Sequence, residues 1–430
     1  MRPSGARLSE DRKQREWAAA CGRFASPFHP CKEADMGIAR KMREMNEKSS
    51  TIRKMFEEGL RMKAQFGVDN VYDFSLGNPD VPPPARFSQI LQQVAAEERP
   101  GVHSYMPNPG FMATREAVAA RVSREQGLKL AGTDVVMNCG AAGALNVIFK
   151  AVLDPGDEVL VPAPYFVEYG FYADNHGGVL KTVACDAQFN LDLNAIEAAL
   201  TPKTKVVLLN SPNNPTGQIY PAAALNELGA LLDRAGRKFG HRVFMVADEP
   251  YRNIVFDNNT VAPFMQASTN TLVASSFSKE LSVPGERIGY IAVHPDMEDK
   301  EALLSALILG LRILGFVNAP ALMQRVVARL DGAAVESGVY AQRLAAFCEV
   351  LDAAGLEYVR PKGAFYLFPK TPIADDARFC ALLQDERILA VPGRSFGLAG
   401  HIRLAFCVEE KVIRASAEGF KRAVAAAGKL

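Results

Sequence analysis

The sequence lacks any imbalance of charge. Its 49 lysines and arginines meet 48 aspartates and glutamates, a formal net charge of +1, so bulk electrostatics give no reason to expect a nucleic acid or an anionic membrane as partner. It also lacks cysteine pairs. Seven cysteines (Cys21, Cys31, Cys139, Cys185, Cys348, Cys380 and Cys407) are odd in number and scattered, with no Cys-x-x-Cys unit. That argues against zinc and for free thiols in a reduced, cytoplasmic compartment. His103, His176, His241 and His294 have no metal-ligand spacing, so no metal site is expected. No apolar run reaches membrane length, and the stretch around residues 306–317 is broken by Gly310, Arg312 and Gly315. The first thirty residues carry bases and acids but no apolar h-region, which is not the pattern of a secretory signal. Internal repeats and low-complexity segments are missing too.

What remains is a composition ordinary for a globular enzyme, 48% hydrophobic and 23% charged. A chain of 430 residues exceeds one simple core, so two domains are expected. The reading places a poorly ordered extension over residues 1–35, with Met36 a candidate alternative start. Residues 36–84 then contribute to a smaller domain, residues 85–317 form a large domain, and residues 318–430 form the small C-terminal domain.

Patterning gives the fold class. "FMATREAVAARVSREQG" is an amphipathic helix closed by Gly127. From there strands alternate with helices: "AGALNVIFKAVL" helix, "DEVLVPAP" strand, "FVEYGFYADNHGG" helix, "KTKVVLLNSP" strand, "AALNELGALLDRAG" helix, "RVFMVADEPY" strand, and "TLVASSFSK" a strand running into a loop. This is an α/β chain with a mostly parallel sheet and helices on both faces. Beyond it, "LEYVRPKGAFYLFP" and "HIRLAFC" read as strands and "EEKVIRASAEGFKRAVAAAG" as one closing helix, an α+β arrangement. Ligands bind at the carboxyl ends of the strands in such sheets, and "NSPNNPTG", "ADEPY" and "SSFSK" all fall there.

The segment "SSFSKELSVPGERIGY" places Lys279 in a run of hydroxyl and apolar residues and Arg287 eight positions later. A lysine in such a loop suits covalent capture of a carbonyl cofactor, and the candidate is pyridoxal 5'-phosphate. That cofactor asks for a buried carboxylate at its ring nitrogen, backbone N–H groups and a cation at its phosphate, a flat neighbour for its ring and donors to its phenolic oxygen. Asp248 ends the apolar strand "RVFMVAD", and Tyr251 follows three residues later. Ala141 and Ala142 sit at a helix start in "GAAGALN". Ser276 and Arg287 flank the lysine loop, Phe166 ends "PAPYF", and Asn214 lies in "SPNNPTG".

Taken in order, "SYMPNPG", "GAAGALN", "DPGDEVLVPAPYF", "NSPNNPTG", "ADEPY", "SSFSK" with "GERIGY", and "GAFYLFP" with "HIRLAFC" resemble the class I/II aminotransferases, the fold-type I pyridoxal phosphate enzymes, across residues 70 to 410 or so. The resemblance implies that Lys279 carries the cofactor and that Asp248 pairs its ring nitrogen. It implies that Tyr251 and Asn214 donate to its phenolic oxygen and that Phe166 stacks on its ring. Ser276, Arg287 and the Ala141–Ala142 backbone hold its phosphate, with the side-chain contacts that many relatives have at "GAAG" missing here. Tyr105 reaches the phosphate of the neighbouring subunit in a homodimer. Arg403 binds the substrate α-carboxylate, aided by Asn214 and the backbone of Gly77. The implied activity is ping-pong amino transfer between an α-amino acid and a 2-oxo acid. The same fold hosts C–S lyases, and the sequence separates these poorly from transaminases. A transcription regulator with this domain would need a DNA-binding domain ahead of it, for which 35 residues are too few. Arg312 is a candidate for reading a distal carboxylate of an acidic substrate, the alternative being an arginine that bridges subunits.

Overall fold

The computed structural model describes residues 37–48 and 50–429. The expected extension over residues 1–35 and Met36 lie outside them. Within residues 1–50 the described element is helix α1, Arg40–Lys48. Residues 51–430 form the other compact unit.

Seven strands make the central sheet: β2 (Val135–Asn138), β3 (Glu158–Ala163), β4 (Val179–Ala184), β5 (Thr204–Asn210), β6 (Phe244–Asp248), β7 (Thr271–Ser276) and β8 (Gly289–Val293), in the order β2-β8-β7-β6-β5-β3-β4. The run β7-β6-β5-β3-β4 is parallel, and β8 is antiparallel to both β7 and β2. β8 departs from the sequence reading, in which "GERIGY" belongs to the lysine loop. Five apolar residues in a row have no distinguishing period, and only pairing with β7 makes them a strand.

The central strands are buried on both faces, which is why they read as near-continuous apolar runs. Their side chains divide between two cores with a period of two. Met245 and Ala247 of β6, with Val207 and Leu209 of β5, face the core that includes Val118 and Val122 of helix α4 (Met112–Gln126). Val246, Val206 and Leu208 face the core that includes Val147 and Ile148 of helix α5 (Gly140–Val152) and Tyr169 of helix α6 (Glu168–Asp174). Helices preceding α4 are α2 (Ser50–Phe66) and α3 (Ala85–Ala95).

The C-terminal part holds a three-stranded antiparallel sheet, β11-β12-β9, made of Val391–Pro392, Ile402–Ala405 and Tyr366–Leu367. It packs into an aromatic core with Phe74, Phe347 and Phe420. β1 (Tyr72–Asp73) pairs in parallel with β10 (Ile388–Leu389), which brings the chain just ahead of Gly77 against this C-terminal part. Two expectations are corrected here. The strand expected across "LEYVRPKGAFYLFP" shrinks to two residues, because Pro361 has no N–H to give a ladder and Ala364 turns to φ 59°. The closing helix is two helices, Glu410–Ala415 and Ala417–Ala427. They break at buried Ser416, whose hydroxyl donates back to Ile413 O at 2.7 Å.

Candidate active site

Neighbouring strands in parallel register end at the same level, and their terminal residues do the positioning. Asn210 of β5 lies opposite Asp248 of β6. Its amide nitrogen donates to Asp248 O at 2.8 Å, and its Oδ1 accepts from Asn214 N at 2.6 Å. Asn210 therefore fastens the "SPNNPTG" loop to the end of β6. Above these strand ends lies a cavity of about 380 Å³. Gly77, Ala141, Ala142, Phe166, Asn214, Asp248, Tyr251, Ser276, Lys279, Arg287 and Arg403 all line it. Two expected site residues do not. Tyr105 is 88% exposed, and Arg312 stands exposed near the end of helix Lys300–Ile313.

Asp248 is buried with half of its carboxylate unanswered. Oδ2 accepts from Tyr169 Oη at 2.5 Å, while Oδ1 has no partner among the described residues. Burial pushes this carboxyl up to about 7, with the Tyr169 hydrogen bond pulling the other way. A buried acceptor without a donor is costly unless something brings one. A protonated ring nitrogen is such a donor.

Lys279 sits in the cavity wall, half-buried, and donates from Nζ to Gly77 O at 2.9 Å. Burial depresses its ammonium to about 8. Arg287 and Arg403 push the same way, against an opposing influence of Cys407. An amine with that value is about half neutral near pH 8, whereas an ordinary lysine is almost wholly charged there.

At the far end, α5 begins at Gly140 with φ 75°, and the residue before it, Cys139, provides no side-chain cap. The first N–H groups of α5 thus stand without side-chain acceptors, with the positive end of the helix dipole behind them. Arg287, held at φ 50° and donating to Pro284 O at 2.9 Å, lies beside Gly140. A Cβ at position 140 would come within 2.9 Å of Arg287 Nη2, and one at Gly289 within 2.8 Å of the Gly140 backbone. Helix start, guanidinium and Ser276 form a cradle suited to a dianion. Together with the open Asp248 Oδ1, it matches the two ends of pyridoxal phosphate. Phe166 meets Tyr169 edge-on at 5.5 Å and offers its ring to the cavity.

Arg403 is 3% exposed and has no carboxylate beside it among the described residues. Its guanidinium lies between the rings of Tyr366 (4.8 Å) and Phe396 (4.7 Å). Nη2 donates to Ser75 O at 2.6 Å, Nη1 to Asn214 Oδ1 at 3.3 Å, and Nε has no partner. A desolvated guanidinium with an open donor is a site for an anion that arrives with the substrate. Tyr366, in turn, shares a hydrogen bond of 3.0 Å with Tyr251 Oη.

Tyr169, Asn210, Tyr366, Tyr172 and Glu168 line the same cavity and were not singled out from the sequence. Asn210 was within reach, as the first polar residue after the apolar run of β5. Tyr169 and Tyr366 sit inside the quoted segments, but only packing turns them inward.

Known proteins resemble this chain in sequence and in fold. The sequence profile of the family "Aminotransferase class I and II" matches residues 69–420. The aspartate/prephenate aminotransferase of Thermus thermophilus is 32% identical over 394 residues, 90% of this chain and 98% of that protein. The aspartate aminotransferase of Geobacillus stearothermophilus is 30% identical over 385 residues, 85% and 94% of the two chains. Among solved structures, an aminotransferase from Eubacterium rectale superposes with a TM-score of 0.88 at 34% identity, covering 91% of this chain and 99% of its own. The Thermus thermophilus aspartate aminotransferase with maleate gives 0.78 at 29% identity, covering 90% and 99%.

Proposed function

The chain belongs to the class I and II aminotransferases, is a pyridoxal phosphate-dependent transaminase of fold-type I, and acts on amino and 2-oxo acids; from that premise we propose that Lys279 carries the cofactor and performs the proton transfers of a ping-pong exchange. The observation that carries this assignment is the pairing, across one cavity, of an amine depressed to about 8 with a buried carboxyl whose Oδ1 has no partner among the described residues. When bound, pyridoxal phosphate supplies a carbonyl that condenses with amines and a cationic ring that takes up the electron pair released from the substrate Cα.

The chain's own residues do the rest. Asp248 Oδ1 would accept a hydrogen bond from the protonated ring nitrogen and so keep the ring cationic, while Tyr169 holds Oδ2 so that the carboxylate keeps its orientation. Lys279 Nζ would take the proton from the substrate Cα and return it on the far side of the substrate nitrogen. Tyr251, braced by Tyr366, and Asn214, braced by Asn210, serve the phenolic oxygen. The first turn of α5, Ser276 and Arg287 hold the phosphate, and Phe166 stacks on the ring. Arg403 and the backbone of Gly77 bind the α-carboxylate in the plane that aligns the Cα–H bond.

The working unit in this reading is a homodimer, with Tyr105 completing a neighbour's phosphate site. Its 88% exposure and the exposed Leu309 and Ile313 support that assignment. The five free cysteines among the described residues support a cytoplasmic setting. We assign the cofactor domain to residues 85–317 together with residues 318–330, whose Ala319, Met323, Val326, Val327 and Leu330 pack in its core beside Val118 and Val122, and the smaller domain to residues 331–430 with the chain from β1 to residue 84, supported by the β1–β10 pairing. Borohydride trapping of the bound cofactor followed by peptide mapping tests the central assignment. The adduct should fall on Lys279, and an adduct on any other lysine sinks it.

A further inference from the structure

Asp248 and Lys279 are each followed in the chain by a glutamate. Both glutamates turn to the other side of the sheet ends, toward α4, and both are buried, Glu249 with 2% and Glu280 with 5% side-chain exposure. They are joined by one alternating chain of charges. Arg121 of α4 grips both oxygens of Glu280 and reaches Glu125 Oε1 at 2.8 Å. Arg252 lies 4.0 Å from Glu125 Oε2, donates to Glu125 O at 2.7 Å, and pairs with Glu249 Oε1 at 2.6 Å. Gln126, the last residue of α4, donates to the second oxygen of Glu249 at 3.1 Å. Arg121 also lies over the ring of Phe277, 5.4 Å from its centroid and two residues ahead of Lys279. Asn253 donates to Glu280, and Ser275 Oγ donates to Glu249 O at 3.0 Å.

Burying several ionised groups is expensive and adds little stability over an apolar core of the same shape, but it fixes geometry closely because each member has few acceptable positions. We propose that the chain Glu280–Arg121–Glu125–Arg252–Glu249 locks the lysine loop and the end of β6 to helix α4. Arg121 and Arg252 are thus positioning residues that set Lys279 against Asp248 from behind the sheet. This rests on the roles proposed above for Lys279 and Asp248. On the cavity side Lys279 faces Arg287, Arg403, Cys407 and the more distant Asp248. On the α4 side lie Glu280, Arg121, Glu125, Glu249 and the phenol of Tyr290, which packs on Phe277 at 5.9 Å. Burial pushes the Glu249 carboxyl up to about 7, with Arg252 pulling it down, so above that pH the chain of five carries one net negative charge.

The test uses the full-length protein as wild type, Arg121→Met, Glu280→Gln and the double variant. The first readout is the pH midpoint for acylation of Lys279 in the cofactor-free protein, followed by peptide mass spectrometry. It requires no bound cofactor, so it stands apart from the borohydride result that decides the proposed function. Removing Arg121 leaves excess negative charge and should raise the midpoint, whereas Glu280→Gln removes negative charge and should lower it. Each shift should be on the order of half a pH unit, the size of a single nearby charge damped by an effective dielectric of about 20 or more. The double variant should return near the wild-type midpoint. The second readout is kcat against KM in the loaded protein. Arg121→Met should lose roughly ten-fold or more in kcat, with KM nearly unchanged, as misplacement of a catalytic amine does. If Arg121→Met fails to fold, the downward shift in Glu280→Gln decides alone. Shifts of the same sign, or unmoved midpoints with unchanged kcat in folded protein, overturn the proposal and leave these residues as packing only.

Discussion

Asp248→Asn separates what the buried carboxyl costs the fold from what it does for the cofactor. Burial pushes that carboxyl up to about 7 from an ordinary 3.8. Each pH unit of displacement is worth about 1.4 kcal/mol, so ionising Asp248 in the cofactor-free protein costs roughly 4 kcal/mol, an upper figure because the open cavity admits water. Between about pH 4 and pH 7 the folded chain keeps a proton that the unfolded chain has already released. Stability therefore falls as pH rises through that window and is flat, for this group, above it. Asparagine fills the same space and has no proton to lose. Urea unfolding of cofactor-free wild type and variant at pH 5 and pH 8 measures the difference. The wild type should lose roughly 3 kcal/mol relative to the variant between the two pH values. Glu249, pushed up to about 7, and Lys279, depressed to about 8, titrate in both chains and largely cancel. Saturating pyridoxal phosphate at pH 8 should reverse the order, since the ring-nitrogen proton answers Asp248 Oδ1 and finds only an amide in the variant. A stability difference that does not change with pH in the cofactor-free proteins would refute the reasoning.

Further outcomes follow from neighbouring contacts. Tyr169→Phe removes the donor 2.5 Å from Asp248 Oδ2, raises that carboxyl further, and should lower kcat roughly ten- to a hundred-fold in steady-state assays, the range of a hydrogen bond to a charged group. Arg403→Lys loses the planar fork between Tyr366 and Phe396 and should cost roughly 2–5 kcal/mol in kcat/KM for every α-amino acid donor alike. Gly77→Ala would place a Cβ 1.9 Å from Tyr366 Oη. It should displace that ring from Tyr251 and raise KM, with a new ring position visible in a crystal structure of the variant. Arg312→Leu should weaken kcat/KM for acidic donors by roughly 2–5 kcal/mol and spare alanine if a neighbouring copy's substrate uses this arginine. Equal effects on both donor classes would make it structural.

The elements and the kinds of groups at their ends could be read from consecutive residues alone. The apolar runs of β5, β6 and β7 end in Asn210, Asp248 and Ser276, and each boundary is a local switch from apolar to polar. Lys279, Arg287, Asn214 and Arg403 were readable because their motifs lie at such boundaries and occur in an ordered set. Short elements were less readable. β8 has no period of its own, and the strand around Tyr366 is cut down by Pro361 and by the backbone turn at Ala364. Which side chains meet depends on the packed fold. Tyr169 reaches Asp248 across 79 residues, Arg403 reaches Asn214 across 189, and Arg121 reaches Glu280 across 159. The same holds for Tyr105 and Arg312, which stand exposed and do not line the cavity. Helix and strand periods are properties of a few consecutive residues. A hydrogen bond between distant elements depends instead on strand order and on how helices seat against the sheet, and those are fixed by the whole buried surface at once.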